Sequence, residues 1–257
     1  MALLPKAALC IGHPGHELRV FKWLHEYKPL TTILTDGSGA DRQSRVASTT
    51  RILDQAGATP ASIYGAYPDR ELYRLMLAKD PQPFIDIAER LANEWDDAEI
   101  ELVAGDMIEG FNTSHDICRL LINAAVDFLR HNNRRSIDNY EFPLEKLSSE
   151  NTPNDSLTVE LSDEDFDLKF ETARFTYPEL AKDVEIIIDK YGTAPFKTEV
   201  LTQASPNAGL TWDNANPPFY EIYGARQVEA GHYSDLITYK EHIQPIALAL
   251  RSWSRQS

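Results

Sequence analysis

Apolar residues in the first half of the chain follow two alternating patterns. Short apolar runs stop at Gly, Pro or Asp, which is typical of buried strands that end in turns. These runs are residues 7–12, 30–35, 62–67 and 100–104. Between the runs, apolar positions recur every three or four residues, which predicts amphipathic helices. The helical stretches are residues 17–27, 44–56, 83–93 and 114–129.

This exchange of strand and helix predicts an α/β fold. Successive strand–helix–strand units build a Rossmann-like, mostly parallel sheet with helices on both faces. In such sheets, ligands bind beyond the carboxyl ends of the strands. Polar residues follow three of the predicted strands, at 13–17, 36–42 and 106–115. We therefore expect these three segments to converge.

The second half of the chain has a different pattern. Residues 134–155 are polar and irregular, which indicates a linker or an excursion. We predict an α/β core over residues 1–133 and a C-terminal α+β elaboration over residues 134–257 that packs on it as part of one structural domain. The elements predicted after the linker are helices at 163–174 and 178–191, a strand at 198–203, a loop at 203–218 and a terminal helix at 238–253 kinked at Pro245.

The chain carries a strong acidic excess, with a formal net charge of −15. Nucleic acids and anionic membrane surfaces need a basic footprint, so neither is an expected partner. No apolar run approaches the roughly 20 residues of a membrane-spanning helix. The only cysteines, Cys10 and Cys118, lie in apolar runs, which predicts buried reduced thiols and fits a cytoplasmic protein.

The most specific local motif is a pair of histidines on the predicted turn after the first strand. His13 and His16 are three positions apart, and a turn can aim both rings at one centre. Neutral imidazole is a good zinc ligand, and catalytic zinc has three protein ligands with one open position. The alternative is a structural turn in which one histidine caps the helix that Glu17 begins.

His115 is the candidate for a third ligand. It lies at the start of the helix that follows the fourth predicted strand, although an ordinary helix-start residue is the alternative for this position. Taken together, His13, His16 and His115 predict a zinc site at the carboxyl edge of the sheet.

Several segments, in the same order, resemble the LmbE/PIG-L family of zinc-dependent N-acetylglucosaminyl deacetylases. Family members carry His-Pro-Asp-Asp-Glu after the first strand, Thr-Asp-Gly after the second, then an arginine on a helix and an Asp-His at a later helix start. The matching segments in this chain are His13-Pro14-Gly15-His16-Glu17, Thr35-Asp36-Gly37-Ser38, Arg45 and residues 109–115, which end in His115. Residues 176–180, 220–224 and 241–243 also resemble parts of bacterial members, so the resemblance covers most of the chain.

The resemblance implies a role for each matching position. His13 and His115 would be zinc ligands, and His16 would replace a ligand aspartate, since three imidazoles bind zinc well. Gly15 stands at the position of the family's proton-accepting aspartate and has no side chain to act. If the protein is an enzyme, either another carboxylate takes this proton, or zinc hydroxide forms without a strong base because zinc brings the pKa of its bound water to about 7.

Candidate replacements for the missing base lie near the same edge of the predicted sheet. Asp36 is the first choice because it ends the neighbouring strand, although it also suits a turn aspartate that supports Gly37. The other carboxylates that we consider as catalytic groups or as close neighbours of the site are Glu17, Asp106, Glu109 and Asp116.

Further residues are candidates for contacts with a substrate. Arg45 stands where family members often hold a substrate-binding arginine, and Asp116 and His232 are additional candidates. His242 is a candidate acid or oxyanion donor. Arg45 equally suits a solvated helix face, and the two histidines suit surface or hydrogen-bonded structural positions better than a site. Two aromatic residues that suit either stacking on a sugar or core packing are Trp212 and Tyr220.

Two functions from different classes follow from these residues. The first is a zinc-dependent hydrolase that deacetylates a small N-acylated sugar, a glycoconjugate or a related amide. The second is a catalytically idle relative that binds a ligand or a biosynthetic partner, which the glycine at position 15 favours. A nucleotide-binding Rossmann protein is disfavoured because Gly-x-Gly-x-x-Gly does not follow the first strand. Assembly as a homo-oligomer stays open.

Overall fold

A computed structural model of the protein describes residues 4–39, 43–132, 135–145, 155–178, 181–213 and 215–256. Its strands are β1 (Ala7–Ile11), β2 (Leu30–Thr35), β3 (Thr59–Tyr67), β4 (Leu102–Asp106), β5 (Asp138–Phe142), β6 (Leu157–Glu160) and β7 (Thr198–Gln203). The α-helices are α1 (Phe21–Tyr27), α2 (Val46–Ala56), α3 (Asp69–Leu77), α4 (Gln82–Asp97), α5 (Thr113–Asn132), α6 (Asp163–Thr176), α7 (Ala181–Tyr191), α8 (Phe219–Glu229) and α9 (Gln244–Trp253). Shorter segments are the 3-10 helices His16–Val20 and Ala194–Phe196 and the π-helix Tyr239–Ile243.

The strands form one sheet in the order β3-β2-β1-β4-β5-β7-β6. The first five strands in this order pair in parallel, and β7 runs antiparallel to both β5 and β6. The central strand is β1, with Cys10 opposite Thr32 of β2 and Gly105 of β4. The predicted α/β fold with a mostly parallel sheet is confirmed, and the carboxyl ends of β1, β2 and β4 lie side by side.

Side chains on the central strands alternate between two apolar layers, as the pleat requires. Ala8 and Cys10 of β1 face a layer that α4, α5 and α9 cover. Leu9 and Ile11 face the opposite layer, which α1 and α2 cover. Helices therefore pack on both faces of the sheet, and this explains why β1 is apolar at every position.

A buried arginine fixes α5 against the sheet beside the carboxyl end of β4. The Arg119 guanidinium is fully buried and donates hydrogen bonds to the carbonyl oxygens of Asp106 and Tyr140 and to the side chain of Asn139. Its Nε atom also lies 3.7 Å from a carboxylate oxygen of Glu141. A buried charge is tolerated only with such partners. These bonds hold the first turns of α5 in a fixed position over β4 and β5.

Two predictions for the middle of the chain miss elements that the structure contains. The stretch after the third strand holds α3, which begins after Pro68. Residues 134–155 were predicted to be irregular, but Asp138–Phe142 forms β5 and extends the parallel sheet. Residues 146–154 of this predicted linker lie outside the described residues. The strand β5 was missed because its sequence is polar. A strand at the end of the parallel part of the sheet buries only some of its side chains, so it needs no apolar run.

Smaller differences concern the ends of elements and the last third of the chain. The helix predicted over residues 17–27 begins as the 3-10 turn His16–Val20, and the loop predicted to end at residue 218 is followed by α8, which was not predicted. Pro245 does not kink a continuous helix. It lies in the first turn of α9, where its missing N–H breaks no helical bond, and the preceding turn is a π-helix.

Cys10 and Cys118 are both buried and unbridged, as predicted, with their sulfur atoms 3.8 Å apart. Burial raises the pKa of the Cys118 thiol well above its ordinary value. Among the described residues, no helix combines the length and the apolar character that crossing a bilayer requires.

Candidate metal centre

Three histidine rings meet at the carboxyl ends of β1 and β4. His13 and His16 lie on the turn after β1, and His115 lies in the first turn of α5. The ring centroid of His13 is 5.3 Å from that of His16 and 5.0 Å from that of His115. The ring centroids of His16 and His115 are 4.5 Å apart. The structure brings together the three histidines that the sequence indicated. Their role as metal ligands stays a prediction.

The spacing of the three rings suits a metal ion, although their donor atoms do not form a finished site. A tetrahedral zinc ion lies about 2.0–2.1 Å from each imidazole nitrogen, which separates the ring centroids by roughly 5 Å. Within the described ranges, no three His, Cys, Asp or Glu side chains place their donor atoms as a metal site. The rings stand at steep angles to one another, 71°, 89° and 90°. The distances between the rings thus match zinc, whereas the donor atoms are not all placed for coordination.

The tautomer of His13 follows from its neighbours. Its Nδ1 lies 2.6 Å from the hydroxyl oxygen of Thr35, and that hydroxyl donates its own proton to the carbonyl of Gly12. Thr35 therefore accepts the proton on Nδ1, which leaves Nε2 as the nitrogen available to a metal ion. The Asp69 carboxylate lies 3.2 Å from the same Nδ1 and reinforces this assignment.

Asp69 is itself held in a polar pocket. Its second carboxylate oxygen accepts a hydrogen bond from the Gly39 N–H at 2.6 Å. Burial raises the pKa of Asp69, but its contacts with His13, Thr35 and Gly39 outweigh burial and bring the pKa down to about 2. Asp69 is therefore ionised at neutral pH and stabilises a proton on Nδ1 of His13.

His16 is oriented in the same way by a second carboxylate. Its Nδ1 donates to Asp106 Oδ2 at 2.9 Å, and the Gly12 N–H donates to the same oxygen at 2.7 Å. Asp106 is fully buried, and its other oxygen has no hydrogen-bond partner among the described residues. This pairing leaves Nε2 of His16 available as well. Histidines that ligate zinc usually donate their other N–H in this manner.

His115 differs from the other two histidines. It is 8% exposed, and neither ring nitrogen hydrogen-bonds to a protein group in the described part of the chain. Burial lowers the pKa of His115 well below its ordinary value, and the neighbouring rings of His16 and His13 lower it further. The ring is neutral at pH 7, so it offers a lone pair, which is the form that binds a metal.

The turn between the two histidines requires a glycine. Gly15 has φ of 107° and ψ of −21°, a region that residues with a side chain rarely adopt. The Gly15 N–H donates to the carboxylate of Glu17 at 2.8 Å, and the Tyr177 hydroxyl donates to the other oxygen of Glu17. An aspartate at position 15 would strain this turn. Glycine is therefore what the local backbone requires here.

Glu17 lies beneath the turn rather than in the open site. It is fully buried, and burial raises its pKa while the hydrogen bonds from Tyr177 and Gly15 oppose that rise. The carboxylate joins the turn to α6, because Tyr177 follows that helix directly and also hydrogen-bonds to Thr49 of α2. The contacts of Glu17 therefore have a structural role, because they connect the turn to α6 and α2.

A cavity of about 380 Å³ opens beside the histidines. At its floor it touches Pro14, Gly15, His16 and His115. Charged side chains on its sides come from Arg19, Arg45, Glu145 and Lys169. We call the six residues of α6 and α7 that close it the apolar wall: Phe166, Phe170, Ala173, Val184, Ile187 and Ile188. The size is typical of a site for a small organic ligand.

Each of the other carboxylates that the sequence indicated has one oxygen engaged in hydrogen bonds. Asp36 accepts a hydrogen bond from the Ser38 N–H at 3.0 Å, as in a turn aspartate, and does not line the cavity. Glu109 accepts from the N–H groups of Leu144 and Glu145. Asp116 accepts from the N–H groups of Glu109 and Gly110, and burial raises its pKa to about 7.

The predicted substrate-binding residues divide into one that lines the cavity and others that do not. Arg45 lines it, and its Nε donates to the carbonyl of Gly37 at 2.9 Å. His232 is exposed near the end of α8, and His242 is buried in the π-helix, where its Nδ1 accepts from the Thr238 N–H. Trp212 packs over Gly110, and Tyr220 lines a separate cavity. The structure does not bring these four residues into the cavity beside the histidines.

Two carboxylates of the site were missed in the sequence, as were the cavity-lining cations Arg19 and Lys169. Asp69 begins α3, and the Pro-Asp start of a helix directly after a strand was a usable indication of that element. Glu145 lines the cavity together with His16 and His115. Burial raises its pKa, and so does Glu109, while Arg19 and His16 oppose the rise. Nothing local in the sequence marks Glu145, because its position depends on how the segment after β5 crosses the sheet edge.

No protein-family model matches the chain, and no curated protein does. Solved structures that resemble it include a deacetylase of the teicoplanin biosynthetic pathway in complex with a ligand designated bog (12% identity, TM-score 0.48). They also include the zinc-inhibited form of the teicoplanin deacetylase Orf2 (11% identity, TM-score 0.49) and a triple mutant of the deacetylase (9% identity, TM-score 0.46). Each similarity covers 78% of this chain and 99% of the other. At this level the similarities carry no information on activity or substrate.

Proposed function

We propose that the protein is a zinc-dependent hydrolase that removes the acyl group from a small N-acylated compound, with His13, His16 and His115 as ligands. One observation carries the proposal. Nδ1 of His13 and Nδ1 of His16 each donate a proton to a buried acceptor, so Nε2 is the nitrogen that each ring leaves for a metal ion. Two rings oriented in this way beside the neutral ring of His115 are a donor set that suits zinc.

Two buried carboxylates support the same assignment. Asp69 contacts Nδ1 of His13 and Asp106 contacts Nδ1 of His16, so each of these rings has a carboxylate partner at Nδ1. A structural pair of histidines needs no such arrangement. When bound, zinc supplies Lewis acidity to a substrate carbonyl and lowers the pKa of water in the site.

Glu145 is our choice for the group that takes a proton from the attacking water. Of the carboxylates near the histidines, Glu145 lines the cavity, whereas Glu17 and Asp106 are fully buried and already bonded. Asp36 remains the second candidate, although its carboxylate is engaged with Ser38. A base must reach its proton directly or through one water, which a cavity-lining side chain can do.

The substrate class rests on the sequence resemblance. Family members remove the acetyl group from N-acetylglucosamine-type compounds, so an N-acylated amino sugar or a related amide is the proposed substrate. Arg45 lines the cavity and has no carboxylate within 4 Å among the described residues, so it is able to hold an anionic or polar group of that substrate. The cytoplasm is the proposed location.

The test compares one protein preparation in two metal states. The protein is stripped with a chelator, reloaded with one equivalent of zinc and assayed for amine release from N-acylated amino sugars. We expect about one zinc per chain and activity only in the reloaded sample. Zinc bound without any turnover on a panel of N-acyl compounds would favour the idle relative, for which Gly15 is the supporting observation. Absence of zinc binding would overturn both the ligand set and the hydrolase.

A further inference from the structure

The cavity beside the histidines is lined by two kinds of surface. His16, His115 and the charged side chains line one part of it, whereas the apolar wall presents only hydrocarbon and aromatic side chains. Val184 and Ile188 are half-buried, and Ile187 is 37% exposed, so the wall keeps apolar surface in contact with water. Burying such surface against a ligand is favourable at about 25 cal/mol per Å².

The cavity is also larger than an acetyl group requires. A water molecule occupies about 30 Å³ in the liquid, so a cavity of about 380 Å³ holds roughly a dozen groups of that size. An acetyl group has three non-hydrogen atoms. If the acyl group of the substrate were acetyl, water or the polar amino-sugar part of the substrate would lie against the hydrocarbon of the apolar wall.

Cations outnumber anions around the cavity, although the chain as a whole has a net charge of −15. Lys169 is neutralised by Glu199, whose carboxylate lies 2.8 Å from its amino group. Arg19 donates to the carbonyl of Leu144 and Arg45 to the carbonyl of Gly37, and neither has an ion pair within the described ranges. Glu145 lines the same cavity and interacts electrostatically with Arg19.

We infer that the apolar wall binds an acyl chain of medium length and that Arg19 and Arg45 hold a negative charge at its polar end. The inference rests on the proposed function and specifies its substrate class as N-acyl compounds with acyl chains longer than acetyl. Hydrolysis joins the water oxygen to the acyl carbon and breaks the carbon–nitrogen bond. The nitrogen leaves with a proton, and the acid product is a carboxylate. A medium-chain carboxylate therefore carries both features that the cavity complements.

Carboxylate binding can be measured without any catalysis. Isothermal titration of the zinc-free protein with acetate, butanoate, hexanoate and octanoate should show affinity rising about fourfold per methylene, or roughly 10²-fold from butanoate to octanoate. Octanol tests the charge, because it has the same chain without the carboxylate, and it should bind more weakly than octanoate. Octanoate that binds no more tightly than acetate overturns the inference.

Matched variants locate the binding. Ile188→Asp places a charge in the apolar wall, and Ile186→Asp places the same charge on α7 at an exposed position that does not line the cavity. We expect Ile188→Asp to weaken octanoate binding at least about tenfold and Ile186→Asp to leave it unchanged. Arg45→Gln should weaken it about tenfold, with the exposed Arg51→Gln of α2 as its control.

The outcomes separate this inference from the proposed function. Equal effects of the two isoleucine variants, or of the two arginine variants, would place octanoate outside the cavity and overturn the inference. Chain-length selectivity in a protein that shows no turnover would keep the binding site and remove the hydrolase. Turnover of acetyl compounds at a rate at least equal to that of octanoyl compounds would keep the hydrolase and remove the acyl-chain site. Circular dichroism of every variant confirms that the fold is retained.

Discussion

The turn after β1 and the apolar wall face the same cavity but are specified in different ways. In the turn, nearly every polar atom has a defined partner: Gly15 donates to Glu17, and His16 donates to Asp106. In the wall, contacts are hydrophobic and several side chains remain exposed. A hydrogen-bond network holds a small number of atoms in one geometry, whereas apolar packing tolerates changes of shape. The difference indicates a rigid chemical centre beside an adaptable binding surface.

The largest effect is expected from removing a ligand in the rigid region. His13→Ala should eliminate measurable turnover and lower zinc affinity by more than the roughly 10–100-fold that is typical of losing an outer partner. Metal content by mass spectrometry and competition with a chromogenic chelator measure this. His25→Ala on α1, where the ring bonds to the carbonyl of Phe21, is the control and should retain zinc. Equal zinc content in the two variants would show that His13 is not a ligand.

A smaller effect is expected from the candidate base. Glu145→Gln should lower kcat about 10²–10⁴-fold with little change in zinc content, because it removes a proton acceptor and keeps the shape of the side chain. Asp36→Asn is measured in parallel. If Asp36→Asn shows the larger loss of kcat, the proton acceptor is Asp36 instead of Glu145. A loss of zinc in either variant would make that carboxylate a ligand.

Asp69, the carboxylate partner of His13, tests whether the orientation of the His13 ring affects zinc binding. Asp69→Asn removes the charge beside Nδ1 and should weaken zinc binding about 10–100-fold without removing it. Glu71→Gln on the same helix breaks only a surface contact with Arg74 and should leave zinc affinity unchanged. If both variants bind zinc as the unmodified protein does, Asp69 has no role in orienting the ring.

Replacing the glycine of the turn should lower the stability of the fold, although Gly15 has no side chain that takes part in the chemistry. Gly15→Ala forces a side chain into a left-handed conformation and should lower the free energy of unfolding by about 1–2 kcal/mol in urea titration. Gly231→Ala introduces a comparable strain at a φ of 75° with open space around it. Only Gly15→Ala should also weaken zinc binding, and a loss of zinc affinity in both variants would indicate a general effect of destabilisation.

The smallest effect on stability is expected in the apolar wall. Ile188→Ala should change the melting temperature little, because Ile188 is half-buried and substitutions away from the core usually stay within about 0.5 kcal/mol. The same truncation at Ile87, which is 2% exposed in α4, should cost about 2–5 kcal/mol. Similar losses at the two positions would show that the wall is part of the core and is not an adaptable surface.

The core elements of the first half were accessible from the sequence because their patterns are local. The apolar run of β1 and the helical spacing of α5 reflect contacts that each element makes along its whole length. The polar strand β5 carries no such pattern, since only part of it is buried. The helix α3 is amphipathic, with Leu72 and Met76 buried four positions apart, but it is short and was not predicted. The same limit applied to the site: two histidines on one turn were visible, whereas Asp69 and Glu145 were not.

By itself, the sequence determined the α/β class, the alternation of strands and helices that gives a mostly parallel sheet, and the position of three histidines near the strand ends. Apolar periodicity and the placement of polar residues after strands are sufficient for those conclusions. Only the tertiary structure decided which ring nitrogens are free, that position 15 requires glycine, and that α6 and α7 supply an apolar wall to the cavity. Each of these depends on contacts between residues 22 to 160 positions apart, and no local pattern of residues encodes such contacts.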